Sequence, residues 1–158
     1  MKTVYFEDIV EGTVAWRGET DVNKEEMLAY AKMNDPWPFH VDEDAAQTTS
    51  FGCLIASGGY AITLWYRLGH PILNDLPERM AFLVGLDWHV KFSRPVRAGD
   101  HLRFRTTVLR KRPSRKPDRG IVVSLGELID QHQESVLAIE ATYLVAKRPR
   151  RESGRRFP

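Results

Sequence analysis

The chain has 158 residues, 42% hydrophobic and 28% charged, with 11 Gly, 9 Pro and a single Cys. That length suits one domain with one core and excludes two catalytic domains, and the apolar and charged fractions exclude wholesale disorder or a collagen-like chain. Lone Cys53 excludes an intramolecular disulfide framework and points to a reducing cytoplasm. The net charge of +2 hides an asymmetry: residues 1–100 hold 9 Lys/Arg against 15 Asp/Glu, and residues 101–158 hold 14 against 6. No apolar run is long enough to cross a bilayer, and MKTVYFEDIVEG places acids where a signal peptide carries its apolar stretch, so no membrane partner is expected.

In chain order, a short extended piece around Val14-Ala15-Trp16 precedes a helix expected near 23–33, with Thr20 and Asp21 as candidate N-cap oxygens. Met27, Leu28, Tyr30 and Ala31 form its narrow apolar stripe. Asn34-Asp35-Pro36-Trp37-Pro38 ends it, because each proline lacks an N–H and bars its predecessor from the helical region. Asp42-Glu43-Asp44-Ala45-Ala46 starts a second small helix. The stretch from Ser57 to Leu68 is apolar nearly all round, with no charge before Arg67, so it reads as a helix buried on most faces. Gly69-His70-Pro71 ends it, and a Pro-punctuated loop over 71–79 follows.

From Ala81 the period changes to two. Leu102, Phe104, Thr106 and Val108 share one face; so do Ile121, Val123, Leu125 and Ile129, and so do Leu137, Ile139, Ala141, Tyr143 and Val145. Such alternation marks half-buried antiparallel strands. Residues 113–120 and 130–133 are the connecting turns. Three or four long strands with one buried helix define an α+β layer architecture, a sheet wrapped on a helix. The domain is expected over 1–147, with 148–158 as a basic disordered tail. That tail has no aromatic interleaving to suggest a nucleic-acid partner.

The chemistry-bearing residues are few. One Cys rules out a Cys-based zinc site, and no metal is expected. The stretch Ala56-Ser57-Gly58-Gly59 lacks the G-x-S-x-G hydrolase pattern, and no phosphate-binding loop or dinucleotide fingerprint occurs. What remains is Asp35-Pro36-Trp37-Pro38-Phe39-His40, an acid and an imidazole five positions apart across a loop stiffened by two prolines. Such a pair can hold one water and move its protons near neutral pH. Downstream, Ser57-Gly58-Gly59 opens the buried helix, where unpaired N–H groups and the positive dipole end can receive the oxygen of a thioester.

The order Asp35-x4-His40, Val41-Asp42-Glu43-x-Ala45-Ala46, Phe51-Gly52 and Leu54-Ile55-Ala56-Ser57-Gly58 resembles the MaoC-like acyl dehydratase / (R)-specific enoyl-CoA hydratase family of the hot-dog fold. Val90–Asp100 is similar to that family's F-x-x-P-V-x-x-G-D segment, and the likeness spans roughly residues 5–147. The resemblance implies a single hot-dog domain, an antiparallel sheet wrapped around a long central helix. It also implies a homodimer or higher even-numbered assembly with the active site near the subunit interface. Asp35 and His40 match the family's water-holding pair, and Gly58 the glycine that binds the thioester oxygen.

Three departures bear on the acyl pocket: Trp37 stands where better-known hydratases have Asn, Ser57 where they commonly have His, and Tyr66 where they can carry a small hydroxyl residue. Substrate contact is therefore expected from Ser57, Gly58, Gly59, Trp37, Phe51 and Tyr66. Arg110, Arg112 and Arg115 are candidates for the phosphates of CoA or for an acidic acyl carrier protein. Trp16, Trp65 and Trp88 are expected in core or interface. The implied activity is cofactor-independent hydration or dehydration of an acyl thioester. The alternatives are a hot-dog thioesterase and a catalytically silent acyl-thioester-binding subunit.

Overall fold

The computed structural model describes residues 2–70 and 78–149. Five strands, β2 (Val14–Asp21), β4 (Phe82–Phe92), β5 (His101–Pro113), β6 (Arg119–Ile129) and β7 (Ser135–Ala146), form one antiparallel sheet in the order β2-β5-β6-β7-β4. Two further short strands, β1 (Lys2–Val4) and β3 (Glu78–Met80), pair in parallel beside it. The helices are α1 (Lys24–Asn34), α2 (Pro38–Val41), α3 (Glu43–Gln47) and α4 (Gly58–Gly69), with a 3₁₀ turn at Phe6–Asp8.

The sheet curls around α4. Tyr60, Ala61, Leu64, Trp65 and Leu68 are all buried and pack on Leu102 and Phe104 of β5, Leu128 of β6, and Leu137, Ile139 and Ala141 of β7. Gly126 permits the closest approach: a Cβ there would lie 2.7 Å from Trp65 Nε1, which donates to the Gly126 carbonyl at 2.9 Å. Further along the same face Phe6 and Ile9 cover Val122 and Val145, with Tyr143 touching both clusters. Gly120 lies under the Phe6 ring, where a Cβ would come within 2.2 Å of it.

The alternation predicted the inward faces of β5 and β7 correctly and that of β6 wrongly. Val122, Gly126 and Leu128 face the core, while Ile121, Val123, Leu125 and Ile129 belong to neither core cluster. The glycines that admit Phe6 and Trp65 carry no hydrophobic signal, so the true inner face looked less apolar than the outer. The first-helix cap also differs. Thr20 and Asp21 end β2, and Asn23 caps α1 by accepting from the Glu26 N–H at 2.8 Å. Of the tryptophans, Trp65 is core, whereas Trp16 is 42% and Trp88 37% exposed. The Arg103 guanidinium lies over the Trp16 ring at 4.4 Å.

Beyond 147, the Arg148 guanidinium pairs with Asp8 at 2.7 Å. The rest of the expected tail, from 150, lies outside the described residues, as do positions 71–77 of the Pro-punctuated loop. No helix among the described residues is long and apolar enough to cross a membrane.

Candidate active site

Asp35 and His40 reach one place because α1 stops where it does. Asp35 is the C-cap of α1, its N–H donating to the Ala31 carbonyl at 2.8 Å. Pro36 forbids continuation, and Pro38, at the first position of α2, has the fixed φ suited to starting a new turn. The sequence predicted a stiff loop here; the chain instead makes the short helix α2, which carries His40 inward while its neighbour Trp37 stays 62% exposed.

His40 is buried, with its Nδ1 2.8 Å from the carbonyl oxygen of Ile55. A carbonyl only accepts, so Nδ1 carries the proton, and in the neutral ring the lone pair lies on Nε2. Nε2 stands 3.5 Å from Asp35 Oδ2. That separation is too long for a strong direct hydrogen bond and leaves both atoms able to contact one reacting oxygen.

The segment before α4 is tied to this pair. The Ile55 N–H donates to the Phe39 carbonyl at 3.4 Å and the Ala56 N–H to the Val96 carbonyl at 2.8 Å. Ser57 is fully buried and caps α4, its Oγ accepting from the Tyr60 N–H at 3.2 Å. The first intrahelical bond runs from Ala61 N–H to the Ser57 carbonyl at 3.1 Å, so the N–H groups of Gly58 and Gly59 precede it.

A cleft of about 390 Å³ joins the two halves, bounded by His40, Phe51, Ser57, Gly58, Phe92 and Val136 among others. Phe92 lies on Gly58, where a Cβ would meet its ring at 3.0 Å. Arg94 supplies a cation to the lining.

Of the sequence-predicted residues, His40, Phe51, Ser57 and Gly58 line this cleft, with Asp35 beside His40. The others stand elsewhere. Gly59 packs under Tyr30, whose hydroxyl oxygen would be 2.5 Å from a Cβ, so its small size serves helix packing. Tyr66 faces Trp88 and His70, with ring centroids 5.2 and 5.8 Å away. Trp37 is outside the lining and stacks on Phe39 at 6.2 Å, which in turn meets Phe51 at 6.0 Å.

Arg110 pairs with Glu140 at 3.0 Å. Arg112 lies opposite Ile121, at the end of β6 remote from Leu128, which pairs Leu137 beside the cleft residue Val136. At about 3.4 Å per residue the hairpin holding Arg112 and Arg115 is roughly 25 Å from the cleft of the same chain. Sequence reasoning gave no individual role to Ile55, Phe92, Arg94 or Val136. Phe92 and Arg94 lie inside the Phe92–Pro95 motif and were legible only as a pattern.

Elsewhere, burial and then its hydrogen bond to Glu26 hold the Tyr60 hydroxyl well above the usual phenol pKa. Glu26 is held below the usual carboxylate range by Arg67 first and by Tyr60. This network braces α1 against α4 away from the cleft. Among the described residues no group of three or more His, Cys, Asp or Glu could hold a metal ion.

A sheet curled on one buried helix, with an acid–imidazole pair beside the helix start, defines a hot-dog domain of the dehydratase type. Residues 6–126 match the MaoC like domain, and the chain belongs to that family. It is 34% identical over 113 residues to an (R)-specific enoyl-CoA hydratase of Rhodospirillum rubrum, covering 71% of this chain and 74% of that protein. The crystal structure of a MaoC-like dehydratase from Rhodospirillum rubrum superposes with a TM-score of 0.84 at 34% identity, covering 92% of this chain and 99% of that one. An (R)-hydratase from A. caviae involved in PHA biosynthesis gives a TM-score of 0.67 at 25% identity, covering 90% and 99%.

Proposed function

We propose that the protein is a hydro-lyase that reversibly hydrates an enoyl thioester to a 3-hydroxyacyl thioester, carried on CoA or an acyl carrier protein. The observation that carries this reading is His40 Nε2, lone pair outward, 3.5 Å from Asp35 Oδ2 at the wall of a cleft whose other wall is Gly58. In dehydration the pair takes one proton from Cα. The thioester oxygen gains enolate character and is held by the Gly58 N–H at the positive end of α4. The electron pair then forms the Cα–Cβ double bond as the Cβ–O bond breaks, and the pair returns its proton to the departing oxygen. Enoyl thioester and water leave, and Asp35 and His40 end as they began. The balance needs no electron carrier and no metal.

The reading extends to assembly. Strand β4 is a sheet edge on which Phe82, Leu83, Val84, Leu86 and Phe92 are each at least 45% exposed, an apolar edge of the kind soluble proteins cover. A second copy is the occupant we assign. Because Phe92 is both on that edge and in the cleft, the site is completed where two copies meet.

The test follows enoyl absorbance and free thiol separately with enoyl- and 3-hydroxyacyl-CoA thioesters. Change in enoyl absorbance without thiol release, lost in Asp35→Asn, supports the hydro-lyase. Thiol release supports the thioesterase, and turnover unchanged in Asp35→Asn removes the proposed site.

A further inference from the structure

Arg94 is the one permanently charged side chain among the described residues lining the cleft. Its position is fixed by its neighbours. The N–H groups of Ser93 and Arg94 both donate to the Val136 carbonyl, at 3.0 and 3.4 Å, and two residues on the Val96 carbonyl receives the Ala56 N–H. The backbone that carries the guanidinium is therefore registered against the segment that ends at Ser57 and Gly58.

The guanidinium itself is lightly engaged. Its contact is Nη1 to Glu134 Oε2 at 3.3 Å, with both side chains more than half exposed, and no other side-chain bond of Arg94 occurs among the described residues. An exposed pair of this kind is weak and easily displaced. A guanidinium offers five N–H donors in a planar fork suited to carboxylate or phosphate, so most of its capacity is unspent. Glu134 is held in place by the turn that presents it, its N–H bonded to Asp130 Oδ1 at 2.9 Å.

Resting on the hydro-lyase reading, we propose that Arg94 is a substrate-recognition residue that binds an oxyanion of the thioester, displacing Glu134 as it does so. Two parts of such a substrate carry that chemistry: a phosphate on the thiol arm, and a carboxylate on the far end of the acyl group.

Four substrates separate them: a neutral enoyl group and an enoyl group ending in a carboxylate, each on CoA and on N-acetylcysteamine, which has no phosphate. Arg94→Gln is expected to lower kcat/KM about 10- to 100-fold, chiefly through KM, for the substrates that bear the recognised anion, in line with a hydrogen bond to a charged group. If that anion is the phosphate, the ratio of CoA to N-acetylcysteamine activity falls with either acyl group. If it is the carboxylate, the ratio of carboxylate-ended to neutral acyl group falls on either thiol. Arg94→Lys restores part of the loss, keeping charge but not the fork. Glu134→Gln, which removes the competitor, lowers the same KM by up to about five-fold.

Equal losses on all four substrates, no loss on any, or a raised KM in Glu134→Gln overturns the inference. Should wild-type protein turn over none of the four, the hydro-lyase reading fails on its own. Calorimetric titration with the saturated analogues of the same thioesters then decides the role of Arg94. A weaker Kd in Arg94→Gln for the anion-bearing members alone supports it, and an equal Kd throughout overturns it.

Discussion

The tautomer of His40 can be separated from its chemistry by one substitution. In His40→Asn the amide nitrogen stands where the imidazole Nδ1 stands, and it can donate to the Ile55 carbonyl that Nδ1 now meets at 2.8 Å. Nothing replaces Nε2. In His40→Ala both are lost, and the Ile55 carbonyl loses its side-chain partner in a buried pocket, where such a deletion costs about 1–3 kcal/mol. Removing a positioned acid–base group costs roughly 10²–10⁴ in rate. Both variants are therefore expected to lose kcat by that factor, measured as change in enoyl absorbance. Thermal unfolding should tell them apart: His40→Ala melts roughly 3–10 °C lower, while His40→Asn stays close to wild type. If His40→Asn keeps more than a tenth of the activity, Nε2 is not the group that moves the proton. If His40→Ala is as stable as wild type, the Ile55 bond does not orient the ring.

Three other outcomes follow from the fold. Gly126→Ala puts a methyl 2.7 Å from Trp65 Nε1 and 2.9 Å from Phe104, so overpacking should cost about 1–3 kcal/mol of stability, read as a lowered urea midpoint; an unchanged midpoint would contradict the close approach. Leu86→Lys places a charge on the exposed edge of β4, and sedimentation should show a wild-type dimer and a monomeric variant with reduced activity; a monomeric wild type would sink the assembly proposal. Glu26 has its pKa lowered in the fold, so its stabilising effect is present above the unfolded carboxylate value and is lost as pH falls through the folded one. Wild type should therefore exceed Glu26→Gln in stability at pH 7, by less than about 1 kcal/mol because the side chain is 42% exposed, and the two should converge once acid has protonated the folded carboxylate.

The fold was legible wherever one face of an element carried all its burial signal. The Met27–Ala31 stripe and the alternation in β5 each set an apolar side against a polar one, α4 is apolar nearly all round, and β7 puts its larger apolar side chains on one face. β6 misled because its core face is built partly from absence, at Gly120 and Gly126, against Phe6 and Trp65 more than 60 residues away in sequence. No local pattern contains that information. In the site, Asp35, His40 and Gly58 were legible from residue type and spacing. The fates of Gly59 and Tyr66 were not, because they depend on which way α4 is turned, and Tyr30 and Trp88 settle that only in three dimensions.

The departure at Ser57 is best understood through the rigidity of the site. The Asp35–His40 pair and the start of α4 belong to different segments, yet main-chain groups tie them down: the Ile55 carbonyl meets His40 Nδ1, the Ile55 N–H donates to Phe39, and the Ala56 N–H donates to Val96. The His40 ring and the Gly58 N–H are thereby held on the same short stretch of backbone, three residues apart. Ser57 lies between these ties and, fully buried, caps the helix through Tyr60. Although it borders the cleft, its Oγ is spent on the Tyr60 N–H, so its part is to order the start of α4. On the proposed hydro-lyase reading, oxygen binding then falls to the Gly58 backbone. Tolerance of the exchange is what such a division of labour requires, because a backbone donor keeps its place as long as the cap does.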